Sequence, residues 1–253
     1  MPAGWPTSPT YFLVFSFLCG VVGFRMGWRT KSRIGLPFVQ GLLGWGAFLI
    51  AWSFVGPGWA AASVGAWALG TTLVSLYVFT GRPKETDERV VRAREYRQSM
   101  LEWLRNGRIA IFNVREPIWY VAAAMATANL ASIVLGAVLL NYMNAYVATL
   151  LRAARRPGTV LLLGWNVWSL VRVGAYVALG AAAASPVLRL LGFRGDRAAV
   201  KQLAIAGAIG VALDVALKLA LSRVAGRALA GAVDLTAAAE NRAPAEELTL
   251  DLS

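Results

Sequence analysis

Apolar and polar residues follow one another along this chain in long blocks, not in the short alternation of a soluble strand or surface helix. Tyr11 to Phe24 is an apolar run closed by Arg25, Arg29, Lys31 and Arg33. Ile34 to Gly81 then runs for 48 residues without a charge. A helix crosses the hydrocarbon core in about 20 residues, so this stretch predicts two spans, near 36–56 and 59–80. Gly56-Pro57-Gly58 supplies the turn between them.

Residues 82–116 break the pattern with nine basic and six acidic side chains, which predicts a solvated segment. Within it Thr86 is placed to cap a helix whose first turn holds Asp87 and Glu88. Val90, Tyr96, Met100, Trp103 and Leu104 fall on one face at helical period, and Gly107 suits the C-terminal cap. That face fits docking onto the membrane or a partner, or packing beneath the chain's own bundle.

Ile118 to Leu151 is again uncharged. One span is expected at about 118–140, with Asn141, Tyr142 and Asn144 near the outer interface and the helix projecting beyond. Thr159 to Ala184 gives a fifth span, interrupted by Arg172 and ended or kinked at Ser185-Pro186. Val200 to Leu221 gives a sixth, interrupted by Asp214 and Lys218. Asp234 to Ser253 carries five acids and reads as a mobile tail.

The expected fold is an all-α polytopic bundle of about six transmembrane helices with one amphipathic cytoplasmic helix. Its parts are a three-span unit over 1–81, the charged segment 82–116, a second three-span unit over 117–227, and an acidic tail over 228–253. Positive charge follows the first span and does not precede it, which favours an uncleaved span with the N-terminus outside. The basic clusters at 152–156, 189–201 and 223–227 do not fit this frame together. Single spans separate them, so either one cluster lies outside or one of these segments is a tight hairpin.

Composition narrows the chemistry. Apolar residues make up 58 % and charged residues 15 % of the chain, with mean hydropathy +0.57. That balance excludes a disordered chain and argues against a soluble enzyme. The net charge of +12 lies in short clusters between apolar runs, as topology-setting charges do, and no groove-reading element accompanies it, so no nucleic-acid partner is expected. High Ala, Gly and Arg fit a bacterial cytoplasmic membrane. With no His and only Cys19, there is no Ser-His triad, no His-ligated haem and no multi-cysteine metal site. Gly195-Asp196 and Asp214 do not make the Gly-x-Gly-Asp pattern of two-aspartate intramembrane proteases, because Phe193 stands where the first Gly is needed. No cofactor or metal is expected, and the reading points away from an enzyme.

The remaining chemistry is intramembrane charge. Leaving Arg172, Asp214 or Lys218 in hydrocarbon would cost at least about 2.5 kcal/mol each, so they should face the bundle, a cavity or one another. Asp214 and Lys218 are spaced i, i+4 for an ion pair. With Asn166 they are the candidates for a solute or ion path in a permease-like protein. The alternatives are an internal salt bridge that locks two spans together, and a non-catalytic scaffold that binds a membrane-protein partner or a second copy through the cytoplasmic helix and the Gly-rich faces of the first two spans. The bilayer itself is the expected partner in every case.

Overall fold

A computed structural model describes residues 8–107 and 115–240 of the 253. Its described residues are helical, with a single isolated β-bridge. The first three helices are α1 (Pro9–Arg29), α2 (Gly35–Val55) and α3 (Pro57–Gly81). Gly56, at φ +90°, turns the chain between α2 and α3 where Gly-Pro-Gly predicts it. The three helices approach closely through glycines. Gly20 of α1 lies on the carbonyl of Trp67, and Gly70 of α3 lies on the carbonyl of Phe17. Backbone meets backbone there, which only a residue without Cβ allows.

The solvated segment forms two helices, α4 (Pro83–Arg89) and α5 (Ala93–Asn106), not one from a Thr86 cap. Thr86 Oγ1 donates to the Arg82 carbonyl inside α4, and the chain turns at Arg92, φ +61°. Gly107, φ +67°, closes α5 as expected.

The fourth apolar segment departs most from expectation. It divides into α6 (Arg115–Ala126) and α7 (Leu130–Arg152), and the candidate span is Leu130–Arg152 rather than 118–140. Between them Ala128 and Asn129 adopt positive φ, +49° and +78°. The freed backbone groups have partners. Thr127 Oγ1 donates to Ala123 O and accepts from Ala131 N, Trp45 Nε1 donates to Ala128 O at 2.9 Å, and Ser132 Oγ donates to Asn129 O. A helix can break within a protein interior only with such replacements. The break lies against Trp45, midway along α2, and against Gly180. At about 1.5 Å per residue α6 reaches only ~18 Å, short of a ~30 Å hydrocarbon core.

The chain then returns along α7 to the end from which α6 came. Arg152 Nη1 donates to the carbonyl of Phe79 at the end of α3, and Tyr142 and Tyr146 pack on Tyr96 of α5. Asn141 and Asn144 are therefore not at an outer interface. Asn141 pairs with Gln40 at 2.7 and 3.3 Å, and Asn144 joins Ser75, Thr72 and Trp165 in the interior.

Next come α8 (Pro157–Leu163), α9 (Val167–Leu190) and α10 (Arg197–Ala232), with α8 broken from α9 at Asn166, φ +55°. Gly195, between α9 and α10, rests on Trp52 and Pro57 at the α2–α3 tip. The basic groups around it thus lie at the end opposite Arg29 and Arg82, while Arg152, Arg155 and Arg156 share the latter end. Both exits from the topology conflict apply: one segment doubles back, and one basic cluster sits apart. Asp196 caps α10 by accepting from Ala198 N and Ala199 N. Its 36 residues reach about 54 Å. The stretch read as a mobile tail is folded at its start: Val233 bridges to Ala154, Asp234 N donates to Ala153 O, and α11 (Leu235–Glu240) follows.

Outward faces are apolar. Val14, Leu18 and Val22 of α1, Leu69 and Leu73 of α3, and Ile205, Ile209 and Leu213 of α10 are all exposed at helical spacing. Six helical segments are long and apolar enough to cross a bilayer. The protein is a multi-pass all-α membrane protein whose bare apolar stripes are solvated by lipid.

Candidate functional site

The α9–α10 seam gathers the intramembrane charges. Gly207 and Gly210 of α10 bring it against Leu179 and Ala175 of α9. Along the same stripe follow Asp214, Lys218, Ser222 and Gly226, spaced four residues apart and buried. Arg172 of α9 meets Asp214 through two hydrogen bonds, Nε to Oδ2 at 2.9 Å and Nη2 to Oδ1 at 3.1 Å. This fork-on-carboxylate geometry is the strongest form of the pair. Asp214 is 1 % exposed, so its charge depends on Arg172.

Arg172 has a second acidic neighbour that sequence reasoning did not supply. Glu116, in the first turn of α6, places Oε2 4.0 Å from Arg172 Nη1. Its position at the edge of the charged segment reads as a helix start; only the packing of α6 against α9 brings it to Arg172. Lys218 does not pair with Asp214 as i, i+4 spacing proposes. Arg172 occupies that carboxylate, and Lys218, 8 % exposed, has no ion pair among the described residues. Glu116, Asp214, Arg172 and Lys218 balance to zero formal charge. Asn166, at the start of α9, is buried with its Oδ1 unpartnered among the described residues.

Beside this cluster, α6, α7 and α9 enclose a lateral cleft of about 360 Å³. Glu116 and Arg92 stand at one end, Tyr120, Tyr142 and Tyr176 line it, and Leu135 and Val138 continue its wall. Tyr120 and Tyr176 pack with ring centroids 4.9 Å apart, tilted by 31°, and separate it from a cavity of about 30 Å³ next to Trp67. The three tyrosines come from three helices, so no spacing in the sequence announces them.

The residues expected to dock a partner lie elsewhere. Val90, Met100, Trp103 and Leu104 are buried, and Tyr96 is half-buried. Trp103 packs on Trp168 and over Gly226, and Arg97 holds Asp87 at 2.5 Å. The chain's own α7, α9 and α10 cover the apolar face of α5. Burial there raises the Tyr96 phenol to about 12. The described residues contain no group of three or more metal-ligating side chains. Comparison with protein-family models, with curated proteins and with solved structures found no match to the chain.

Proposed function

We propose that the chain is a permease-like protein of a bacterial cytoplasmic membrane, or a subunit of one, moving a small solute or ion past the Arg172 cluster. The observation that carries this reading is the state of Arg172. It binds a buried carboxylate on α10 in bidentate fashion, yet its side chain stays 26 % exposed and a second carboxylate stands 4.0 Å away on α6. A guanidinium between two acids on different helices has two available pairings, which a passing ion can exchange. Intramembrane ionisable residues are functional candidates by default. Two helix breaks, at 127–129 and 164–166, add support, because discontinuous helices line the paths of many transporters. The scaffold reading has less support, since α5 keeps its apolar face for its own bundle. The end bearing Arg29, Arg82 and Arg152 is proposed to face the cytoplasm, with the N-terminus outside.

The test is charge movement in proteoliposomes on a solid-supported membrane, with concentration jumps of small inorganic ions, amino acids and carboxylates. A current above that of empty liposomes is expected, lost in an Arg172→Leu/Asp214→Leu double variant that still elutes as a folded species. No current from the native chain, or the same current from the double variant, overturns the reading.

A further inference from the structure

We propose that the lateral cleft between α6, α7 and α9 is a binding site for a zwitterionic phospholipid, with phosphatidylethanolamine as the matching headgroup. The cleft is graded along its length as such a lipid is. Its charged end holds one base and one acid, Arg92 and Glu116. Next come the phenols of Tyr142, Tyr120 and Tyr176. Beyond them, successive turns of α7 place Val138 and Leu135.

The orientation also agrees with a bilayer. Arg92 belongs to the extramembrane link between α4 and α5, whereas Leu135 is exposed on the lipid-facing side of α7. The opening is lateral, flanked by Trp119 at 70 % exposure. A phosphate meets the Arg92 guanidinium there, and a primary ammonium meets the Glu116 carboxylate. Both groups retain capacity. Among the described residues Arg92 is engaged only with the exposed Glu95 at 3.5 Å, and Glu116 is beyond hydrogen-bond distance from Arg172.

The second observation concerns the phenols. Tyr120 and Tyr176 are only 6 % and 5 % exposed, and neither hydroxyl, nor that of Tyr142, has a hydrogen-bond partner among the described residues. Unlike the Tyr146 hydroxyl, which is buried away from any opening, these three open onto the cleft, where they can donate to a bound acceptor. The ester carbonyls of a glycerolipid are acceptors at the depth between charge and chain, where these donors stand. A volume of about 360 Å³ lies within the range of sites that bury one small ligand or one chain segment. This proposal is independent of transport, because a lipid held here is a ligand whether or not anything moves.

The experiment places the full chain in nanodiscs containing phospholipids with brominated tails, which quench tryptophan on contact. The difference between the native chain and its Trp119→Phe variant isolates the cleft signal. At equal mole fraction, brominated phosphatidylethanolamine is expected to occupy the cleft about fivefold better than brominated phosphatidylglycerol, the scale of one or two partly exposed ion pairs. Glu116→Gln removes the acid and is expected to shift preference to phosphatidylglycerol, and Arg92→Gln to weaken both. Unchanged quenching of the other tryptophans controls for folding. Equal quenching by both headgroups in the native chain, or a preference that survives Glu116→Gln, would reduce the cleft to ordinary boundary lipid and overturn the proposal.

Discussion

Single residues of one type have opposite standing here, and the difference is contact, not chemistry. A Cβ at Gly20 would meet the backbone of Trp67 and Thr71, while one at Gly46 meets nothing within 4 Å. Gly20→Ala should therefore lower stability by about 1–3 kcal/mol through overpacking. Gly46→Ala should be neutral or slightly stabilising, as alanine is the better helix former. Thermal unfolding in detergent, read side by side, checks the contrast. Sequence shows both as small residues on helices and does not separate them, because the partner backbone lies about fifty positions away. The charges behave similarly. Arg172→Leu leaves Asp214 buried and unpaired, and should cost about 3–5 kcal/mol. Removing both partners should recover most of that loss, and the same melts measure it. That Arg172 and Asp214 need company was legible from their place inside apolar runs; that Glu116 joins them was not.

At the scale of elements, breaks written in Gly and Pro were legible and breaks written in ordinary residues were not. Gly56-Pro57-Gly58 turns the chain where it is read to. Thr127-Ala128-Asn129 also breaks the helix, with positive φ at Ala128 and Asn129, yet Ala128 reads as a good helix former. The turn holds because Trp45 and Ser132 take over its backbone and side-chain groups, which is tertiary information. Replacing Trp45 by Phe removes the donor to Ala128 O and should raise hydrogen exchange locally across 127–131, leaving α1 unchanged. The C-terminal clasp responds to acid. The Asp234 carboxyl is held below its usual range by the backbone N–H of Ala237, then by Arg155 and the backbone N–H of Thr236. A lowered carboxyl contributes to docking at and above the ordinary value near 3.8, and that contribution is lost as pH falls through the folded value. Hydrogen exchange over 235–240, corrected for its intrinsic pH dependence, should show α11 loosening below about pH 4. Asp234→Ala should show the loosened state at neutral pH.

The whole molecule has two ends, and their assignment is open to direct labelling. On a Cys19→Ser background, cysteines at 31, 154 and 234 should react with a membrane-impermeant maleimide from one side, and cysteines at 58 and 195 from the other. Residues 31 and 154 labelling from opposite sides would contradict the return of α7. The bundle as such was legible, since block length against bilayer thickness fixes the number of crossings within one. The side of each C-terminal cluster was not, because α6 enters without crossing and hydropathy records only that it is apolar.

The Arg172–Asp214 pair also bears on how the chain is made. The two residues are 42 positions apart, so the guanidinium emerges from the ribosome well before its carboxylate. During that interval the nascent chain carries a cation in an apolar segment at the translocon, and Glu116, already synthesised, is its available counter-ion. Glu116 would then act as a chaperone in cis during biogenesis, holding Arg172 until α10 arrives. A Glu116→Gln chain should accordingly show slowed or incomplete membrane insertion even where the finished protein tolerates the change.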